Sequence, residues 1–145
     1  MKQRTKTFGV RVIHLVGALP HGRIADVLGR QLLRAATSVG ANYRAACRAR
    51  SRKEFLAKLG IVEEEADEAQ FWLEMLVEAR LVEPGRVEGL RTEAGELVAM
   101  IVASIRTARR PHRPNRQSPI RNPQSPIRNP QSAIRNSEIR NPQCS

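Results

Sequence analysis

The sequence predicts an all-α protein, an up-and-down antiparallel four-helix bundle over residues 1–110 with a disordered C-terminal repeat tail over residues 111–145. Three observations predict it. Apolar residues recur every three or four positions in four successive segments, and no segment shows the two-residue alternation of a strand. The connections between segments are short, two of the three carrying Pro and Gly, which makes sequential helices antiparallel neighbours. Beyond Arg110 the heptad Ser118-Pro-Ile-Arg-Asn-Pro-Gln124 recurs from Ser125, in degraded form from Ser132, and again from Ser137. A proline at every turn or two excludes helix and strand pairing. Only Ile120, Ile127, Ile134 and Ile139 recur as apolar positions, too few for a coiled coil.

The first helix covers residues 5–19, with Phe8, Val12, Leu15, Val16 and Leu19 on one face, and Pro20-His21-Gly22 stops it. The second runs from Arg23 to about Arg50 and turns Ile24, Leu28, Leu32, Ala35, Val39 and Ala46 inward, with Asn42 on the same stripe. Ser51-Arg-Lys-Glu54 reads as a capping box, the Ser51 hydroxyl accepting from the Glu54 amide while the Glu54 carboxylate reaches back to the Ser51 amide. The third helix starts there and carries Phe55, Leu59, Val62, Ala66, Ala69, Leu73 and Leu76 on a seam that Pro84-Gly85 ends. The fourth repeats the rhythm with Val87, Leu90, Ala94, Leu97, Ile101, Ser104 and Ala108. Leu56, Trp72, Met75, Val98, Val102 and Ile105 lie off these seams. Either the helices bury faces wider than a strict seam, or these residues form a subunit interface.

The chain carries a formal net charge of +11, of which residues 1–110 hold +6, with 19 Lys and Arg against 13 Asp and Glu. Charge is partitioned along it. Residues 23–53 hold eight cations against Asp26, and residues 54–83 hold nine acids against Lys58 and Arg80. Salt bridges between the second and third helices account for most of this pattern. Arg44, Arg48, Arg50, Arg52 and Lys53 stand apart, because five cations within ten residues repel one another unless an anion joins them; phosphate is the expected ligand, with little sequence specificity. One Trp, one Tyr and three Phe offer few platforms for stacking bases.

Catalytic chemistry finds no constellation in the sequence. His14, His21 and His112 are scattered, and Glu63-Glu64-Glu65-Ala-Asp67-Glu68 lacks the Glu-x-x-His partners of a di-iron bundle. No cofactor, metal site or catalytic residue is therefore expected. Cys47 and Cys144 build no disulfide framework, Arg11 and His14 interrupt the N-terminal apolar run that would mimic a secretion signal, and no stretch has the ~18 apolar residues of a membrane span. The expected location is the cytoplasm, without a membrane partner.

Three segments, Gln31–Ala46, Ser51–Leu59 and Glu64–Glu74, together resemble the four-helix-bundle proteins encoded by intervening sequences of bacterial 23S ribosomal RNA genes, over about Thr5 to Arg109. That resemblance implies a ring-shaped homopentamer with no known enzymatic activity. A related branch serves reverse transcriptases of diversity-generating retroelements as an accessory protein, where a basic pentamer binds nucleic acid and the polymerase. Arg34, Ser38 and Asn42 match the family's helix-two motif; Glu65, Asp67, Glu68 and Trp72 match its helix-three motif. By resemblance these residues pair across the bundle, Ser38 and Asn42 as buried hydrogen-bonding sites that hold helix register, and Arg34 joins the nucleic-acid-binding candidates. The repeat tail departs from the family pattern. Two functions follow as expectations: an oligomeric scaffold that holds RNA or DNA by its phosphates, and alternatively an interaction adaptor such as the accessory subunit of a reverse transcriptase.

Overall fold

Four helices follow one another in the computed structural model, which describes residues 1–110: α1 (Lys2–Gly17), α2 (Arg23–Ala46), α3 (Arg52–Glu78) and α4 (Pro84–Arg109). The heptad tail and the boundary expected after Arg110 fall on residues outside that description. Each helix packs on its neighbours in sequence, α4 returns to touch α1, and the diagonal pairs do not meet, as in an up-and-down bundle.

The core is a file of small and large side chains. On α3 Leu59, Val62, Ala66, Ala69, Leu73 and Leu76 are all buried, as are Val87, Leu90, Ala94, Leu97 and Ile101 on α4. Alanines occupy the middle of both seams, where the helices approach most easily. The off-seam residues resolve toward wide buried faces: Ile105 is buried, and Leu56, Trp72 and Val98 pack against the core. None of the six is exposed.

α2 departs from its expected stripe. Ile24 is 67% exposed and Leu28 only half-buried, while Ala25 and Gly29 turn inward in their place. The reason is the closeness of α1. A Cβ on Gly29 would lie 3.1 Å from both Leu19 Cδ1 and Val16 Cγ1, so only a small residue fits there, and a neighbour one position away is rotated toward solvent. The same closeness continues along the pair: a Cβ on Gly9 would sit 3.5 Å from the Ala36 carbonyl oxygen, and one on Gly40 3.6 Å from that of Thr5. Thr5 is buried there and satisfies its hydroxyl on the Met1 and Lys2 carbonyls of its own helix.

Four helix ends also differ from the expected ones. α1 begins at Lys2 and stops at Gly17. α2 ends at Ala46, four residues early, because Ser51 takes an extended backbone (φ −143°, ψ 157°) to cap α3, and the chain must leave the helix to reach it. α3 ends at Glu78 and not at Pro84, through a Schellman motif: Leu81 N donates to Leu76 O at 3.0 Å and Arg80 N to Val77 O at 2.9 Å. Arg80 supplies the left-handed residue of that motif, with φ 56°, a position glycine usually fills. Pro84 instead opens α4 in its first turn, where its missing N–H costs nothing.

The thinnest contact, α1 with α4, is clamped by one arginine. Arg4 Nε donates to Glu93 Oε1 at 2.5 Å, Nη2 reaches Glu93 Oε2 at 3.1 Å and also pairs with Glu96. The Arg4 hydrogen bond, outweighing burial, holds the Glu93 carboxyl below its ordinary value.

Three outcomes follow from this packing. Leu73→Ala removes a fully buried side chain and lowers stability by about 2–5 kcal/mol in urea denaturation. Arg80→Gly relieves the left-handed strain and raises stability by about 1 kcal/mol in the same assay. The lowered Glu93 carboxyl stabilises the fold above its ordinary titration range and ceases to do so as pH falls through its folded value. Glu93→Gln is therefore less stable than wild type at neutral pH, and the two thermal-melt curves converge once pH falls below the lowered folded value of Glu93.

Candidate nucleic-acid interface

In this topology α1 and α3 begin, and α2 and α4 finish, at the same end of the bundle. That end gathers the cations. α2 brings Arg44 and Arg48, the connection brings Arg50, α3 begins with Arg52 and Lys53, and α4 closes with Arg106 and Arg109 in its last turn. Cations beside the C-termini of α2 and α4 are also favoured by the helix dipoles.

An open cleft of about 580 Å³ lies there, lined by Ala41, Arg44, Ala45, Arg48, Arg50 and Glu54. Alanines at positions 41 and 45 keep its floor low, so that three guanidinium groups stand around a hollow. Glu54, the one acid in the lining, is engaged. Its amide donates to Ser51 Oγ at 3.1 Å, and its carboxylate accepts from the Arg50 amide at 2.9 Å. The Glu54 carboxylate thus closes on the Arg50 amide, one residue further out than the Ser51 amide that was expected.

The other sequence candidates separate from this group. Arg52 donates to the Ala108 carbonyl and, at 2.8 Å, to that of Arg110, so it caps the end of α4. The signal for this role was present: antiparallel neighbours place the start of α3 beside the end of α4. Arg34 lies ten residues before Arg44, about 15 Å along the helix, and pairs with Glu68 at 2.8 Å. Lys53 is exposed but does not line the cleft.

The family-motif residues form one cross-helix link. Glu68 Oε1 accepts from Arg34 on α2 and, at 3.0 Å, from Trp72 Nε1 on its own helix. These bonds, the indole's foremost, hold the Glu68 carboxyl below its ordinary value. Ser38 and Asn42 do not reach α3. Asn42 Nδ2 donates to Ser38 O at 3.1 Å and to Ser38 Oγ at 3.0 Å, within α2, and both residues are only half-buried. Their spacing of four places them on the same helix face, where each is the other's nearest polar partner. Glu65 buries one carboxylate oxygen without a partner, and Asp67 points to solvent.

Salt bridges between α2 and α3, expected to absorb most of the charge partition, reduce to Arg34–Glu68 among the described residues. Antiparallel register is the cause. With Arg34 beside Glu68, advancing ten residues along α2 to Arg44 takes α3 back toward Lys58, so the cation-rich end of α2 meets almost no acid. No group of His, Cys, Asp and Glu suited to a metal ion occurs among the described residues, and no helix is long and apolar enough to cross a membrane.

Fold and site define a class: a small four-helix bundle with one arginine-rich end. The match to the model of the 23S rRNA-intervening sequence protein family extends over residues 1–103, and the chain belongs to that family. It is also similar to a solved protein of unknown function from the S23 ribosomal protein family of Bacteroides thetaiotaomicron, at 30% identity and a TM-score of 0.65, covering 72% of this chain and 96% of that one. No curated protein matches the chain.

Proposed function

We propose that this protein is a non-enzymatic, oligomeric scaffold that binds structured RNA by its phosphate backbone, through the arginine-rich end of the bundle. One observation carries this reading: Arg44, Arg48 and Arg50 surround a single open cleft and make no ion pair among the described residues, although the neighbouring helix is acidic. Three guanidinium groups lining one cleft suit phosphate oxygens, which each can meet with a forked pair of donors. The residues after Arg110 add six arginines against Glu138. The family's association with a ribosomal RNA gene supports RNA as the polyanion.

The described surface offers no constellation for reading bases. The solitary Trp72 donates to Glu68 and packs against the core, Phe8 is fully buried, and at the basic end Tyr43 and Phe55 are half-buried and packed against the core, so no fully exposed ring stands there among the described residues. Recognition is therefore of backbone and shape. A single cleft binds weakly. A ring of copies presents the cleft several times to one RNA and converts a weak phosphate contact into useful affinity by avidity.

Fluorescence anisotropy of a labelled RNA hairpin, titrated at rising salt, tests the proposal. Binding weakens steeply with salt, and the variant combining Arg44→Ala, Arg48→Ala and Arg50→Ala flattens the log-log slope by about one unit for each arginine that meets a phosphate. Arg52→Ala, which removes a helix cap, leaves the slope unchanged. Absence of binding at low salt, or an unaltered slope in the triple variant, overturns the reading.

A further inference from the structure

Among the described residues two exposed surfaces of the bundle are complementary. The first is a groove of about 430 Å³ on the outer side of α1 and α2. Its floor is low because Gly9 and Gly40 bring the two backbones together, and its apolar wall is Val10 and Ile13, 41% and 49% exposed. Lys2, Lys6 and Arg44 also line it.

The second is the outward stripe of α3, the face opposite its buried seam. Glu64, Asp67, Phe71 and Glu78 recur along it at helical spacing, all exposed. Phe71 is 50% exposed and is held by an edge-to-face contact with Trp72, ring centroids 5.0 Å apart at 68°. A large aromatic ring displayed among carboxylates on a fixed helix is a preformed knob. None of Lys2, Lys6, Arg44, Glu64, Asp67 and Glu78 forms an ion pair among the described residues.

We infer that the α1–α2 groove of one copy receives Phe71, on the acidic face of α3, from a second copy. This rests on the oligomeric part of the function proposed above and names the surfaces that carry it. Three cations around an apolar hollow face three acids around an apolar knob, so the charges assist one orientation. Like surfaces repel: groove against groove opposes cations, and α3 against α3 opposes acids. The contact is consequently heterologous, each copy using one surface to bind and the other to be bound, the geometry that generates rings. Arg44 lines both the groove and the cleft, so the seam between copies runs beside the RNA site and brings each cleft close to the neighbouring chain.

Mixing two full-length variants tests this. Ile13→Asp spoils the groove and leaves the knob; Phe71→Asp spoils the knob and leaves the groove. Both side chains are substantially exposed, so circular dichroism stays at the wild-type value. In sedimentation velocity at micromolar concentration wild type is oligomeric and each variant alone is a monomer near 16.2 kDa. Their equimolar mixture forms a dimer of about 32 kDa, twice the chain mass, because one intact groove and one intact knob remain. Variants that keep the wild-type size overturn the inference while leaving the oligomeric reading in place. Monomeric variants that fail to pair when mixed show that the contact is not groove to knob and overturn it too. A monomeric wild type overturns the inference together with the oligomeric reading, and an acidic protein partner then becomes the occupant to seek.

Discussion

Everything in this bundle depends on how closely α2 admits its neighbours. Ala25, Gly29, Ala36 and Gly40 let α1 lie almost backbone to backbone, and Ala35 and Ala46 do the same service within the core. Close packing of this kind leaves no room between the helices for long side chains. The arginines of α2 are thereby displaced to its exposed face and its C-terminal end. A basic end is thus partly a consequence of a small-residue helix at the centre of the fold, since dispersion contacts over the whole length of the pair fix the rotation of α2 and the charged residues take the positions left to them.

Cations in this chain divide by task. Arg4 joins α1 to α4, Arg52 closes the end of α4, Arg34 links α2 to α3, and Arg91 ties Glu74 on α3 to its own helix. Each has a partner at hydrogen-bond distance, and each links two different helices. Among the described residues the guanidinium groups of Arg44, Arg48 and Arg50 have none. Formal charge alone therefore overstates the cationic surface left free, and the pairing of each guanidinium is the better guide to it.

Apolar exposure is distributed with similar economy. Of the residues that depart from the helical seams, Leu56, Trp72, Val98 and Ile105 are absorbed by broad buried faces, whereas Val10, Ile13, Ile24, Val27 and Phe71 remain in water. Two of these lie in a groove rimmed by cations and another among acids. Pairing surfaces of opposite charge and matching shape lets a small bundle associate in one direction without pairing each face with itself, a distinction that hydrophobic burial alone does not supply.

By itself the sequence determined four helices, the seams of α3 and α4, the Ser51 cap and the position of the basic cluster, because these follow from neighbours three and four residues apart along one helix. Tertiary structure decided the rest. Ile24 turned outward because α1 approaches too closely for it to turn in, and α3 ended at Glu78 because Arg80 accepted a left-handed backbone that its residue type does not announce. Ser38 and Asn42 found each other instead of α3. Which arginines of the cluster stayed unpaired depended on the register between α2 and α3 and on α4 ending beside Arg52, and periodicity within a single helix carries no information about either.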